Sequence, residues 1–208
     1  MRLVLVRHGA SEHSRRGVIA DVQGCTGLTA EGVTQAQRLA RRLRATGELD
    51  DCAALLSSPV SRARQTAEIL VGALPTSAVR EDQTLCELRP GAADGLTWAD
   101  YRARYGTFDL LASPDHPFAP GGESWHDFIA RVQTTLTRFS AQFAGQTVVA
   151  VSHAGFIVAA LLVLFDIPRP GTGARFDPLH TSLTEWRVRD TIWELVRYND
   201  AYHLFNQE

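Results

Sequence analysis

The chain carries few of the devices that staple or anchor a protein. Its cysteines, Cys25, Cys52 and Cys86, are odd in number and widely separated. With no Cys-x-x-Cys pair, they argue against a disulfide framework and against a zinc site. The net charge of −2 over 208 residues leaves no electrostatic footprint for nucleic acid or an acidic membrane surface. Arg38, Arg41, Arg42 and Arg44 cluster, but on a predicted helix whose other face is apolar, so they read as a solvated outer face. The longest apolar segment, Gly155 to Phe165, is much shorter than the ~20 residues that span a bilayer. The apolar run after Arg2 is only strand-length, which is not the pattern of a signal peptide. Repeats, low-complexity tracts and linkers are missing as well. These absences predict a soluble, reduced, cytoplasmic protein with one domain over 1–208, and a 45% hydrophobic share is ample for its core.

What is present is organised around Leu3-Val4-Leu5-Val6, four large apolar residues that read as a strand buried on both faces. The run stops on Arg7-His8-Gly9. Ligands of open α/β sheets bind just beyond the carboxyl ends of strands, and a glycine there lets the backbone come close to a ligand. A polar loop, Ala10 to Gly27, follows. Thr29 then caps a helix running to about Thr46, with Val33, Ala36, Leu39, Ala40 and Leu43 on one stripe and Gly47 as its stop. Ala53 to Leu56 is a second buried strand, and the helix that begins near Ser61 holds Arg62 in its first turn.

Val79 and Thr84-Leu85-Cys86 are weaker strand candidates, with Glu87 at the start of the turn marked by Pro90 and Gly91. Trp98 to Tyr105 reads as a short helix, Ser113 to Gly122 as an irregular loop, and Ser124 to Phe143 as a long amphipathic helix. Thr147 to Val151 is another strong strand. It ends in Ser152-His153-Ala154-Gly155, directly before a nearly all-apolar helix whose free N–H groups make an anion site. Two alternating stretches, Ser182 to Val188 and Ile192 to Tyr198, close the chain as a β-hairpin. The predicted architecture is α/β, a three-layer α/β/α sandwich with a mostly parallel central sheet and a C-terminal β-hairpin.

In such a sheet the strand ends meet in one crevice. There Arg7, Arg62, His8, His153 and a helix N-terminus would form a cluster of cations and N–H donors suited to a tetrahedral dianion. Glu87 is the one carboxylate placed like them, in position to give a proton to a leaving group. No set of residues has the spacing of metal ligands.

With these residues in order, the chain resembles the histidine phosphatase superfamily, in the branch shared with cofactor-dependent phosphoglycerate mutases. Arg7-His8-Gly9, the Ser58 to Thr66 helix start with Arg62 inside, the Glu87 turn and Ser152-His153-Ala154-Gly155 carry the likeness. Leu28-Thr29, Gly32, Gln35-Ala36, Gly121 to Ser124 and Asn199-Asp200 with His203-Leu204 extend it over almost the whole chain. The resemblance implies His8 as nucleophile, Arg7, Arg62 and His153 on the phosphoryl oxygens, and Glu87 as general acid and then base. It implies no metal and no other cofactor.

It also implies phosphate or substrate contacts from Ser14, Gln23, Gly24, Ala154 and His180, with departures. Ala10, Ser11 and Ser14 stand where many relatives have Thr or Glu and then Asn, and Cys25-Thr26-Gly27 is short. His180 either touches the phosphate pocket or caps a strand. Arg89 is a partner of Glu87, a substrate contact or a surface residue.

The partner expected is a small phosphorylated metabolite, and the protein a monomer or homodimer. A mutase needs extra cations over its site, yet no Lys or Arg occurs from Tyr105 through Ile129, where Phe108, Leu110, Leu111 and Phe118 stand instead. A phosphatase is the reading preferred over mutase-type transfer or a binding pseudoenzyme.

Overall fold

In the computed structural model, which describes residues 1–109, 112–168 and 174–205, six strands form one sheet in the order β3-β2-β4-β1-β5-β6. They are β1 (Arg2–Arg7), β2 (Cys52–Ser57), β3 (Val79–Glu81), β4 (Thr147–Ser152), β5 (Leu183–Arg189) and β6 (Ile192–Asp200). β3, β2, β4 and β1 run parallel, and β5 and β6 are added antiparallel as the C-terminal hairpin. The helices are α1 (Glu12–Arg16), α2 (Ala30–Thr46), α3 (Ser61–Val71), α4 (Trp98–Tyr105), α5 (Trp125–Gln142) and α6 (Ala154–Leu164). None of the helices among the described residues is long and apolar enough to cross a membrane.

The layers follow from the alternation of side chains along each strand. Leu3, Leu5, Val148 and Ala150 pack with α5 and α6 on one face. Val4, Val6, Val149 and Val151 pack with α2 and α3 on the other. Both faces of β1 and β4 are therefore covered, which is why these strands read as unbroken apolar runs. The helix ends obey local chemistry. Thr29 accepts from the Gly32 N–H, and Ser124 and Asp127 form a reciprocal capping box. A smaller apolar group, including Ile19, Ala93, Tyr101 and Phe118, brings α4 and the 113–122 loop together.

Three expectations need correction. Thr84-Leu85-Cys86 is not a strand: Gln83–Leu85 is a 3₁₀ turn, because the Asp82 carboxylate takes the Thr84 N–H and hydroxyl. Glu87 thus follows a turn rather than a strand. The Ala10 to Gly27 loop contains α1, closed at Gly17 with φ 64°. Arg42 is not a solvated residue, since it bridges Glu48 and Asp200 and its side chain is only 15% exposed. Leu110 and Leu111 lie outside the described residues.

Candidate active site

The register of β1 on β4 pairs Arg7 with Ser152, so the next residue of each strand is a histidine and the two stand side by side. The His8 N–H donates to Ser152 O at 3.0 Å, and the His8 and His153 rings lie 5.1 Å apart, edge to face. His8 Nδ1 donates to its neighbour's carbonyl, Gly9 O, at 2.7 Å. That bond leaves Nε2 as the bare lone pair, and Arg62 Nε donates to it at 3.1 Å. The tautomer follows from these two bonds. Gly9 packs against Gly32 of α2 so closely that a Cβ on either would strike the other segment's backbone.

Around this pair the fold gathers cations. Arg62 is 3% exposed and holds Ala20 O at 2.9 Å, while Arg7 donates to Pro178 O. His153 is fully buried, and its Nε2 lies 2.9 Å from Ser58 Oγ. Its Nδ1 is buried with no partner. Burial first, then the Arg62 charge, pushes the His8 and His153 pKa values well down, so both are neutral at pH 7. Burial likewise lowers His13 and His180 to about 4. Their rings are 6.4 and 5.7 Å from that of His8.

Glu87 reaches the same crevice from its turn. Its carboxylate accepts the Gly155 N–H at 2.8 Å and the Leu88 N–H at 3.1 Å. A Cβ at Gly155 would collide with that carboxylate, so the first turn of α6 has room for Glu87 only as glycine. Arg131 holds the turn in place. Its guanidinium pairs with Glu123 at 2.6 and 2.7 Å and donates to the carbonyls of Thr84, Cys86 and Glu87.

A cavity of about 570 Å³ opens over these groups and is lined by Arg7, His8, Ser14, Arg62, Glu87 and Ala154 among others. Of the other residues expected here, His180 stands beside His8, and its Nε2 is buried without a partner. The Gln23 side chain is exposed, and neither it nor Gly24 lines the cavity. Their N–H groups, with that of Asp21, are taken by the Asp94 carboxylate at 2.8 to 3.0 Å. Arg89 lies on Gln83 O rather than on Glu87.

Sequence reasoning missed His13, Ser58, Asp21 and Arg131. Ser58 opens the Ser58 to Thr66 stretch, whose pattern singles out Arg62 and gives the serine no role. The i, i+3 pattern that puts His13 and Arg16 on α1 was hidden in an otherwise polar loop. Arg131 sits on a helix whose pattern reports only its apolar face.

Comparisons with known proteins cover most of the chain. The histidine phosphatase superfamily (branch 1) matches residues 3–201. A protein of Mycobacterium tuberculosis described as bifunctional is 33% identical over 91% of this chain, which spans 50% of that relative's length. A metal-independent phosphoserine phosphatase of Arabidopsis thaliana is 28% identical over 97% of this chain and 82% of its own. A 2,3-bisphosphoglycerate-dependent phosphoglycerate mutase of Methylobacterium is 33% identical over 78% and 79% of the two chains.

Among solved structures, YhfR of Bacillus stearothermophilus superposes with a TM-score of 0.83 at 27% identity over 98% of both chains. A mycobacterial glucosyl-3-phosphoglycerate phosphatase does so at 0.77 and 28%, over 96% of this chain and 98% of its own. With the family model matched over nearly the whole chain, the chain belongs to the histidine phosphatase superfamily, branch 1.

Proposed function

We propose that this chain is a metal-independent phosphatase, within one domain, that hydrolyses a small phosphomonoester through a phosphohistidine on His8. The observation that carries the reading is the fixed His8 tautomer, with its Nδ1 hydrogen on Gly9 O and its Nε2 lone pair facing the Arg62 guanidinium. A neutral imidazole held this way is a ready nucleophile.

When a phosphoryl group enters, Arg62 leaves Nε2 for the phosphoryl oxygens, joined by Arg7 and His153. Nε2 attacks phosphorus as the ester P–O bond breaks, and Glu87 gives its proton to the departing alkoxide. Water then attacks phosphorus as the P–N bond breaks and its electron pair returns to Nε2, Glu87 takes the water's proton, and inorganic phosphate leaves. The charge that develops is met by two guanidinium groups and the N-terminus of α6, which is the electrostatic task a metal would otherwise perform. Ser14 and Ala154 line the pocket, and His180 stands beside His8. Mutase-type transfer is less well supported, because Arg7 and Arg62 are the only Lys or Arg side chains lining the cavity among the described residues.

The test is single-turnover labelling with a neutral quench, followed by mass spectrometry. Phosphate on His8, loss of turnover in His8→Ala and rates unchanged by a chelator are expected. Label on His153, or EDTA inhibition reversed by a divalent ion, would overturn the reading.

A further inference from the structure

We propose that the substrate is the phosphate ester of an amino alcohol, with its ammonium group held between Asp21 and the aromatic wall of the cavity. This rests on the phosphatase reading and adds to it the chemistry of the group that leaves.

Once Arg7 and Arg62 are committed to the phosphoryl group, no Lys or Arg remains among the described residues lining the cavity. A leaving group with a carboxylate or second phosphate would meet no cation there. It would instead face two acidic groups, Glu87, which the mechanism uses as the proton donor, and the Asp21 carboxylate.

Asp21 is the unexplained one of the pair. Its carboxylate takes part in no hydrogen bond and has no cation within 4.0 Å among the described residues, and its Oδ1 is buried without a partner. It does not hang free, because its own N–H is fixed on Asp94 and the preceding carbonyl, Ala20 O, holds Arg62. Asp21 therefore stands at the edge of the phosphoryl cluster, held there by its backbone, with its acceptors unused. A partly buried carboxylate without a partner is costly to keep, and a cation supplied by the ligand removes that cost.

The rest of the wall suits the same guest. Leu88, Trp98, Phe108, Phe118, Trp125 and Phe128 line the cavity. The rings support one another. Phe118 stacks on Tyr101 at 4.5 Å and meets Trp98 and Phe108 edge-on at 5.9 and 4.9 Å. Aromatic faces beside a carboxylate attract an ammonium and repel an anion. A wholly apolar leaving group would fill the space and leave Asp21 unpaired. The combination selects an apolar body that carries a positive charge.

The experiment compares phosphocholine with 3,3-dimethylbutyl phosphate, which has the same shape without the charge. Turnover of p-nitrophenyl phosphate measures the chemistry itself. We expect kcat/KM to favour phosphocholine by about tenfold or more. Asp21→Asn and Trp98→Leu should each bring that ratio toward one; Trp98 is 45% exposed, and thermal melts of both variants check that the fold is kept.

A ratio of one in the unaltered protein, or one that survives both substitutions, overturns the proposal. So does an equal loss on p-nitrophenyl phosphate and phosphocholine in Asp21→Asn, which would place Asp21 in the chemistry. Failure to hydrolyse even p-nitrophenyl phosphate would instead refute the phosphatase reading.

Discussion

Ser58 shows how much chemistry one hydroxyl can govern. It accepts the Val60 N–H at 3.3 Å and has a single proton to offer, to His153 Nε2 at 2.9 Å or to Cys86 Sγ at 3.5 Å. The shorter, better acceptor is the imidazole. Donation to it places the His153 hydrogen on Nδ1, the atom that has no protein partner and that the proposed mechanism uses as a donor to a phosphoryl oxygen. Ser58→Ala should therefore lower kcat/KM by about tenfold or more, and ¹⁵N spectra of the His153 ring should show a changed tautomer. An unchanged tautomer with lost activity would make Ser58 a packing residue. Glu87 is tested differently. Glu87→Gln keeps the shape but removes the proton, so an alkyl phosphate should lose roughly 10²–10⁴-fold in its phosphorylation step, while p-nitrophenyl phosphate, with a stable leaving group, loses far less. The comparison needs burst or single-turnover kinetics, because dephosphorylation is common to both substrates. Equal losses in that step would remove Glu87 from proton transfer. Asp94 is a poor substitute, since three backbone N–H groups already occupy its carboxylate.

At the scale of elements, two supports can be separated from the chemistry. The β5–β6 hairpin turns at Asp190 and Thr191, with φ of 46° and 74°. A β-branched residue in the left-handed region is strained, and Thr191→Gly should raise stability by about 1 kcal/mol, read as a higher Tm with unchanged turnover. Arg131, by contrast, ties α5 to the Glu87 turn through Glu123 and three carbonyls. Its loss in Arg131→Met should cost about 2–3 kcal/mol and, under the proposed mechanism, lower kcat more than it raises KM, because Glu87 is misplaced while His8, Arg7 and Arg62 are untouched. A KM effect alone would refute that role. These two elements also mark the limit of what the sequence discloses. The buried strands, the capped helices and the hairpin were legible because alternation, caps and turn residues are local signals, and the histidines at the ends of β1 and β4 were legible because they directly follow such strands. The turn before Glu87 was not, because Asp82 binding the Thr84 N–H overrides a short β-prone run. Nor was the partly buried pairing of Arg42 with Glu48 and Asp200, which depends on residues 158 apart in the chain meeting at one edge of the fold. Asp21 and Ser58 gain meaning only when the cavity and His153 are in place.

The whole molecule carries an unusual load of neutral imidazoles. Burial is the first cause of lowered pKa values at His8, His13, His153, His180 and His203, with nearby arginines adding to it. Their charged forms are disfavoured in the fold, whereas the unfolded chain binds protons freely at the ordinary value of 6.5. The unfolded state therefore holds more protons below that value, and stability falls as the pH drops from 6.5 toward about 4, the folded-state value of His13, His180 and His203. The carboxylates of Glu48, Asp82 and Asp200 are lowered, so their contributions are lost only below the ordinary carboxylate range, in a separate and more acidic window. Thermal melts should show Tm falling steadily between about pH 6.5 and about pH 5, a region where surface carboxylates alone would leave it nearly flat. A tetrahedral dianion separates the cluster from His203, which bonds Thr181 and is not in the ring contacts around His8. Bound beside His8 and His153, it favours their protonated forms, so it should stabilise the protein more at about pH 5.5 than at about pH 7.5. Sulfate is the probe, because it remains a dianion at both values. His8→Asn should weaken the acid-side gain while leaving the His203 contribution to the slope in place. A sulfate shift that is equal at the two pH values would mean that the anion does not bind against these imidazoles.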